Sequence, residues 1–145
     1  ETIIMTKTKQ RLLSLTLVIA MFFALAIPAS ARASDYIARA IVDVSSGGNG
    51  KIIILVDVMG KSKMQEIGAT TITVHEKKQD GSYQPVYTYT KEKNPNLIGK
   101  NRNAYLIDIT YQGVAGKDYY ILAQCYAKNA NGSGITVAGS RAIRA

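Results

Sequence analysis

The chain predicts an all-β domain, a two-sheet sandwich of seven strands, behind an N-terminal export signal. Three features lead there. Past residue 33 the apolar residues alternate with a period of two, clusters of Gly, Asn, Asp and Pro separate the alternating runs, and no apolar run with helical period has useful length.

The export signal comes first. From Met5 the chain carries Lys7, Lys9 and Arg11 with no acidic residue, and residues 12–27 then form an uncharged run. That run has 16 residues, fewer than the ~20 that span a bilayer, and it stops at Pro28 among small residues. Two overlapping A-x-A patterns place cleavage after Ala31 or Ala33. Residues 1–4 precede the expected initiator Met5 and are set aside as upstream sequence. The expectation is a secreted bacterial protein, extracellular or in the cell envelope, whose mature part is one domain over 34–145. That part meets the membrane only through its signal before cleavage.

Each strand then has its own justification. The first, over 36–44, ends in the turn-rich Ser45-Ser46-Gly47-Gly48-Asn49-Gly50. The second, over 51–59, is apolar at nearly every position, which predicts a central strand covered on both faces. Residues 60–68 are polar and read as a loop, with Met64 and Ile67 tucked beneath it. The third strand, over 69–77, alternates Ile72 and Val74 with Thr71, Thr73 and His75. Asp80-Gly81 supplies the positive φ that a tight hairpin needs. The strand over 83–90 follows, and Pro85, having no amide hydrogen, sends it to a sheet edge.

Residues 91–103 read as a polar connection containing Pro95 and Gly99. Strands over 104–111 and 119–128 come next, the second flanked by Gly116 and by Asn131-Gly132, and the last strand covers 135–143. Val114-Ala115-Gly116-Lys117-Asp118-Tyr119 and Ala127-Lys128-Asn129-Ala130-Asn131-Gly132 together resemble the penultimate strand of a fibronectin type III or related immunoglobulin-like domain. The resemblance implies a seven-stranded immunoglobulin-like sandwich in which Tyr119 is a tyrosine corner, its hydroxyl bonded back to the backbone near the preceding turn. The whole chain also resembles short exported bacterial single-domain proteins of unknown function, a likeness that implies no activity.

Composition limits the function. The full chain has a formal net charge of +8, and residues 34–145 keep +5, a balance that favours anionic partners. Cys125 is the only cysteine, so no intrachain disulfide forms, and its place in a strand predicts a buried free thiol. His75 is the only histidine and has no local nucleophile or orienting carboxylate, so no catalytic constellation is expected. Neither a metal nor any other cofactor is expected, because one His, one Cys and dispersed carboxylates make no ligand set. Gly47-Gly48-Asn49-Gly50 lacks the Lys-Ser/Thr of a phosphate loop and reads as a turn.

Two features are candidates for binding. Tyr83, Tyr87 and Tyr89 offer flat amphipathic area for a sugar or a protein. Lys91, Lys93, Lys100 and Arg102, opposed locally by Glu92 alone, form a basic stretch beside them. The expectation is a non-catalytic binding or structural module for an extracellular protein or an anionic or carbohydrate surface polymer. Nucleic acid is not an expected partner at an extracellular address. The rival readings are an enzyme or enzyme inhibitor using Cys125 or an exposed loop, and a strand-exchanging component of a surface assembly.

Overall fold

A computed structural model describes residues 34–145; the export signal expected over 5–33 lies outside the described residues. The strands are β1 (Ile37–Gly48), β2 (Lys51–Lys77), β3 (Tyr83–Thr90), β4 (Ile98–Gln112), β5 (Asp118–Asn129), β6 (Gly132–Gly139) and β7 (Ile143–Arg144). A single 3-10 turn, Pro95–Leu97, precedes β4. Every strand pair is antiparallel, and all seven strands belong to one strongly curled open sheet. Its hydrogen-bonded path runs β1-β2-β5-β6, with β3 and β4 also on β2 and β7 on β5.

The 27-residue β2 is the spine. Its first half lies between β1 and β4, and its second half has β5 on one side and β3 on the other. The two halves meet where Met59 pairs with Ala104 and Met64 with Arg102, so β2 carries extra residues there and bends. This corrects the expected loop over 60–68. Met64, Ile67 and Ala69 are buried, and β4 and β5 flank the segment from Met64 onward, so the backbone there finds ladder partners, while Lys61 to Lys63 form the excess residues of the bend. The two strands expected on either side of that loop are therefore one. A continuous β2 joins both halves in a single sheet, in place of the expected two-sheet immunoglobulin-like sandwich. The expected connection over 91–103 is also shorter, because Ile98 to Arg102 pair with β2 as the start of β4.

Curling brings the inner faces of both halves to one core. Val42, Val44, Ile54, Val56 and Ile107 come from the first half, and Ile72, Val74, Ile121, Ala123 and Cys125 from the second. The outer face of β2 is not covered as its composition predicts. Ile53 and Leu55 are half-buried, and Ile41 and Leu106 beside them are 47% and 58% exposed. The strands flanking β2 cover its backbone edges, and no second layer lies on that outer face among the described residues.

β3 pairs with β2 alone, which is the edge position that Pro85 requires. Tyrosines fill the gap between β3 and β4. The Tyr89 hydroxyl donates to the Thr110 carbonyl at 3.3 Å, and the Tyr87 and Tyr89 rings meet edge-to-face at 4.7 Å. Tyr111 links this pair to the buried Tyr119, 6.1 Å from Tyr87 and 5.9 Å from Tyr119.

Candidate anion-binding site

Charge in residues 34–145 is segregated. Lys61, Lys63, Lys91, Lys93, Lys100, Arg102 and Lys128 gather around the bend of β2 with Glu66, Glu92 and Asp35, whose neighbour Tyr36 accepts from the Lys61 amide, so these seven cations and three carboxylates make +4. The other seven cations and six carboxylates of these residues nearly cancel. Most of the net charge of the described domain thus sits at one place. Sheet register builds it: Arg102 lies opposite Met64, while Lys100 and Lys128 flank Glu66 from β4 and β5.

The bend forms a groove of about 470 Å³ lined by Lys61, Ser62, Lys63, Asn101, Arg102 and Asn103, with no carboxylate. Asn101 takes φ 55°, a left-handed conformation that asparagine tolerates better than most residues, and this irregularity accompanies the excess residues of β2. The Arg102 guanidinium lies 5.1 Å from the Tyr105 ring centroid, and its Nε donates to the Lys100 carbonyl at 3.3 Å. The Tyr105 hydroxyl is anchored by donating to the Asn96 carbonyl at 2.6 Å. These contacts rest the exposed Arg102 against the Tyr105 ring at the groove. Lysine and arginine around such a groove suit an oxyanion, with the neighbouring amides and Ser62 hydroxyl available as further donors.

A second depression of about 300 Å³ adjoins it, lined by Glu66, Lys91, Glu92, Pro95, Ile98 and Lys100. The Lys91 ammonium lies 5.4 Å from the Tyr126 ring centroid. The basic stretch read from the sequence is thus divided, with Arg102 in the groove, Lys91 and Lys100 in the second depression, and Lys93 exposed on the intervening turn. Lys61, Lys63 and Lys128 escaped sequence reasoning. The Lys61-Ser62-Lys63 alternation puts both lysines on one face only when the segment is a strand.

The three tyrosines do not act together. Val74 pairs with Tyr87 whereas His75 pairs with Pro85, so a bulge at Val86 reverses the face that follows. Tyr87 and Tyr89 turn toward Tyr111, while Tyr83 lies on the opposite face, 4.8 Å from Tyr120. Tyr120 in turn stacks on His75 at 4.5 Å. His75 is half-buried and its Nδ1 has no hydrogen-bond partner among the described residues.

The Tyr119 ring is fully buried, its hydroxyl accepts from the Val114 amide at 2.8 Å, and it donates to Glu76 Oε2 at 2.9 Å. This contact ties the start of β5 to the turn that precedes it. Glu76 also accepts from Lys117. Cys125 is fully buried, and burial pushes its thiol up to about 12, so the nucleophilic thiolate is suppressed at neutral pH. Native protein should resist a small alkylating reagent and react only as it unfolds in urea. Rapid native labelling would contradict this burial. Among the described residues no cluster of three or more His, Cys, Asp or Glu is placed to hold a metal.

No protein-family model matches the chain. No curated protein matches it either. Among solved structures it is similar to the solution structure of a protein described as late embryogenesis abundant. That likeness has 16% identity and a TM-score of 0.49, and covers 96% of this chain and 86% of that one. It is also similar to part of a family 76 glycoside hydrolase from a bovine Bacteroides thetaiotaomicron strain, with 14% identity and a TM-score of 0.27. There the match covers 72% of this chain and 20% of the enzyme.

Proposed function

We propose that this protein is a secreted, non-catalytic module that binds an anionic polymer of the cell surface through the bend of β2. The observation that supports this reading is the concentration of most of the +5 charge of residues 34–145 around that bend. Such a field raises the local concentration of a polyanion, and Arg102, resting on the Tyr105 ring beside Lys61 and Lys63, gives it a place to dock. The burial of Cys125 argues against the thiol-based alternative. Pro85 and the adjacent bulge disfavour strand exchange along β3, since both are devices that discourage edge pairing.

The test is titration with a polyanion at low and moderate salt. Replacing Lys63 and Arg102 together by alanine should weaken binding at least about tenfold, the loss expected when charge-assisted hydrogen bonds are removed. Added salt should weaken the wild type more than the variant. The Lys77→Ala, Lys78→Ala double variant, on the distant hairpin, removes the same formal charge and should bind nearly as well as wild type. Equal losses in the two double variants would refute a located site.

A further inference from the structure

Resting on that reading, we infer that the second depression is a sugar subsite, which makes the bound polymer an acidic polysaccharide. Two carboxylates stand in the middle of the cationic cluster. Glu66 faces Lys100 and Lys128 across the sheet, and Glu92 lies between Lys91 and Lys93 in sequence. Neither forms an ion pair with a cation among the described residues. Both line the depression beside Lys91 and Lys100, with their acceptor oxygens open to a ligand.

A surface matched to a dense row of phosphates would be weakened by these two like charges. Sugar hydroxyls, by contrast, donate to carboxylates in strong charge-assisted hydrogen bonds. The C–H face of a sugar ring also needs an apolar floor, and Pro95 and Ile98 supply one. The volume of about 300 Å³ lies at the small end of ligand sites and suits one ring. Lys100 and Arg102 are separated on β4 by Asn101 alone. One chain can therefore set an acidic group in the groove and a neighbouring ring in the depression.

The experiment compares oligogalacturonate with inorganic polyphosphate of matched charge, by calorimetry, on the wild type and on Glu92→Ala and Glu66→Gln. Glu92 is exposed, so its substitution leaves the fold intact, and thermal melts of both variants serve as the control. Losing either carboxylate should weaken oligogalacturonate about tenfold while tightening polyphosphate, because a hydrogen-bond acceptor is lost in the first case and a repulsion in the second. If both ligands tighten, the carboxylates act only as repulsive charges and the sugar subsite is overturned. Wild-type binding to polyphosphate alone overturns the subsite and leaves the anionic-polymer reading standing. Binding to neither ligand overturns both.

Discussion

Gly68→Ala should remove a large part of the folding stability of this domain. Gly68 lies in the second half of β2, between Ile98 of β4 and Tyr126 of β5, with φ at 154°. A Cβ there would stand 1.9 Å from the Leu97 carbonyl oxygen and 3.0 Å from its carbonyl carbon, both backbone atoms. Leu97 is itself fully buried at the end of the Pro95–Leu97 turn, so neither side of the clash has room to retreat. The expected cost is about 3–5 kcal/mol, a large part of the ~5–15 kcal/mol that holds a typical domain together. Urea denaturation would show it as a large fall in midpoint. Gly81→Ala is the control. Gly81 has φ 85° on the hairpin with nothing near its absent Cβ, so alanine there meets backbone strain alone and should cost about 1 kcal/mol. Equal losses at the two glycines would mean that the turn before β4 yields freely.

Tyr119→Phe should cost about 1–3 kcal/mol with almost no change in packing, because it strands the Val114 amide and takes one donor from Glu76. The same pair makes stability depend on pH. The hydrogen bond from Lys117 holds the Glu76 carboxyl below the usual glutamate value of 4.5; burial opposes it, while the Tyr119 hydroxyl and the Lys117 charge add to it. A carboxyl depressed on folding contributes stability that is present above its unfolded value and lost as pH falls through the folded value. Asp118, held low mainly by its hydrogen bond from Arg144, adds in the same sense. Burial, helped by Glu76, raises Tyr119 above the ordinary tyrosine value of 10.0 despite the opposing Val114 amide. A phenol raised on folding contributes below its unfolded value, and the contribution disappears as pH climbs through the folded one. The wild type should thus lose stability at both extremes, and Tyr119→Phe should show a shallower acid limb. A variant whose urea midpoint at neutral pH equals that of the wild type would show that this hydroxyl holds nothing together.

The strands that alternation revealed best are those with one face on the core. The run read over 83–90 is β3 residue for residue, and the run over 119–128 differs from β5 by one residue at each end. Their neighbours change little, since inward residues such as Ile121, Ala123 and Cys125 announce themselves by period. Lys61 to Glu66 and Lys100 to Asn103 carry no such signal. From Met64 and up to Arg102 they become strand because β2 and β4 offer each other backbone partners past the bend, a condition that local composition does not encode. The binding candidates divide in the same way. Lys91, Lys100 and Arg102 were visible as a basic stretch, whereas their meeting with Lys61, Lys63 and Lys128 required the register of three strands. The tyrosine trio was visible as a pattern and was separated by one extra residue at Val86.

From sequence alone follow the all-β class, the net charge of +5 over residues 34–145, the edge position of β3 through Pro85, and the tight turn at Asp80-Gly81. These depend on side-chain period, ionisation, a missing amide hydrogen and permitted φ, all properties of a residue and its immediate neighbours. Tertiary structure alone decided that one bent strand joins both halves of the sheet, which face each tyrosine takes, and that most of the uncompensated charge gathers at the bend. Register and bulges are set by strands distant in sequence, and a shift of one residue exchanges the faces of everything beyond it.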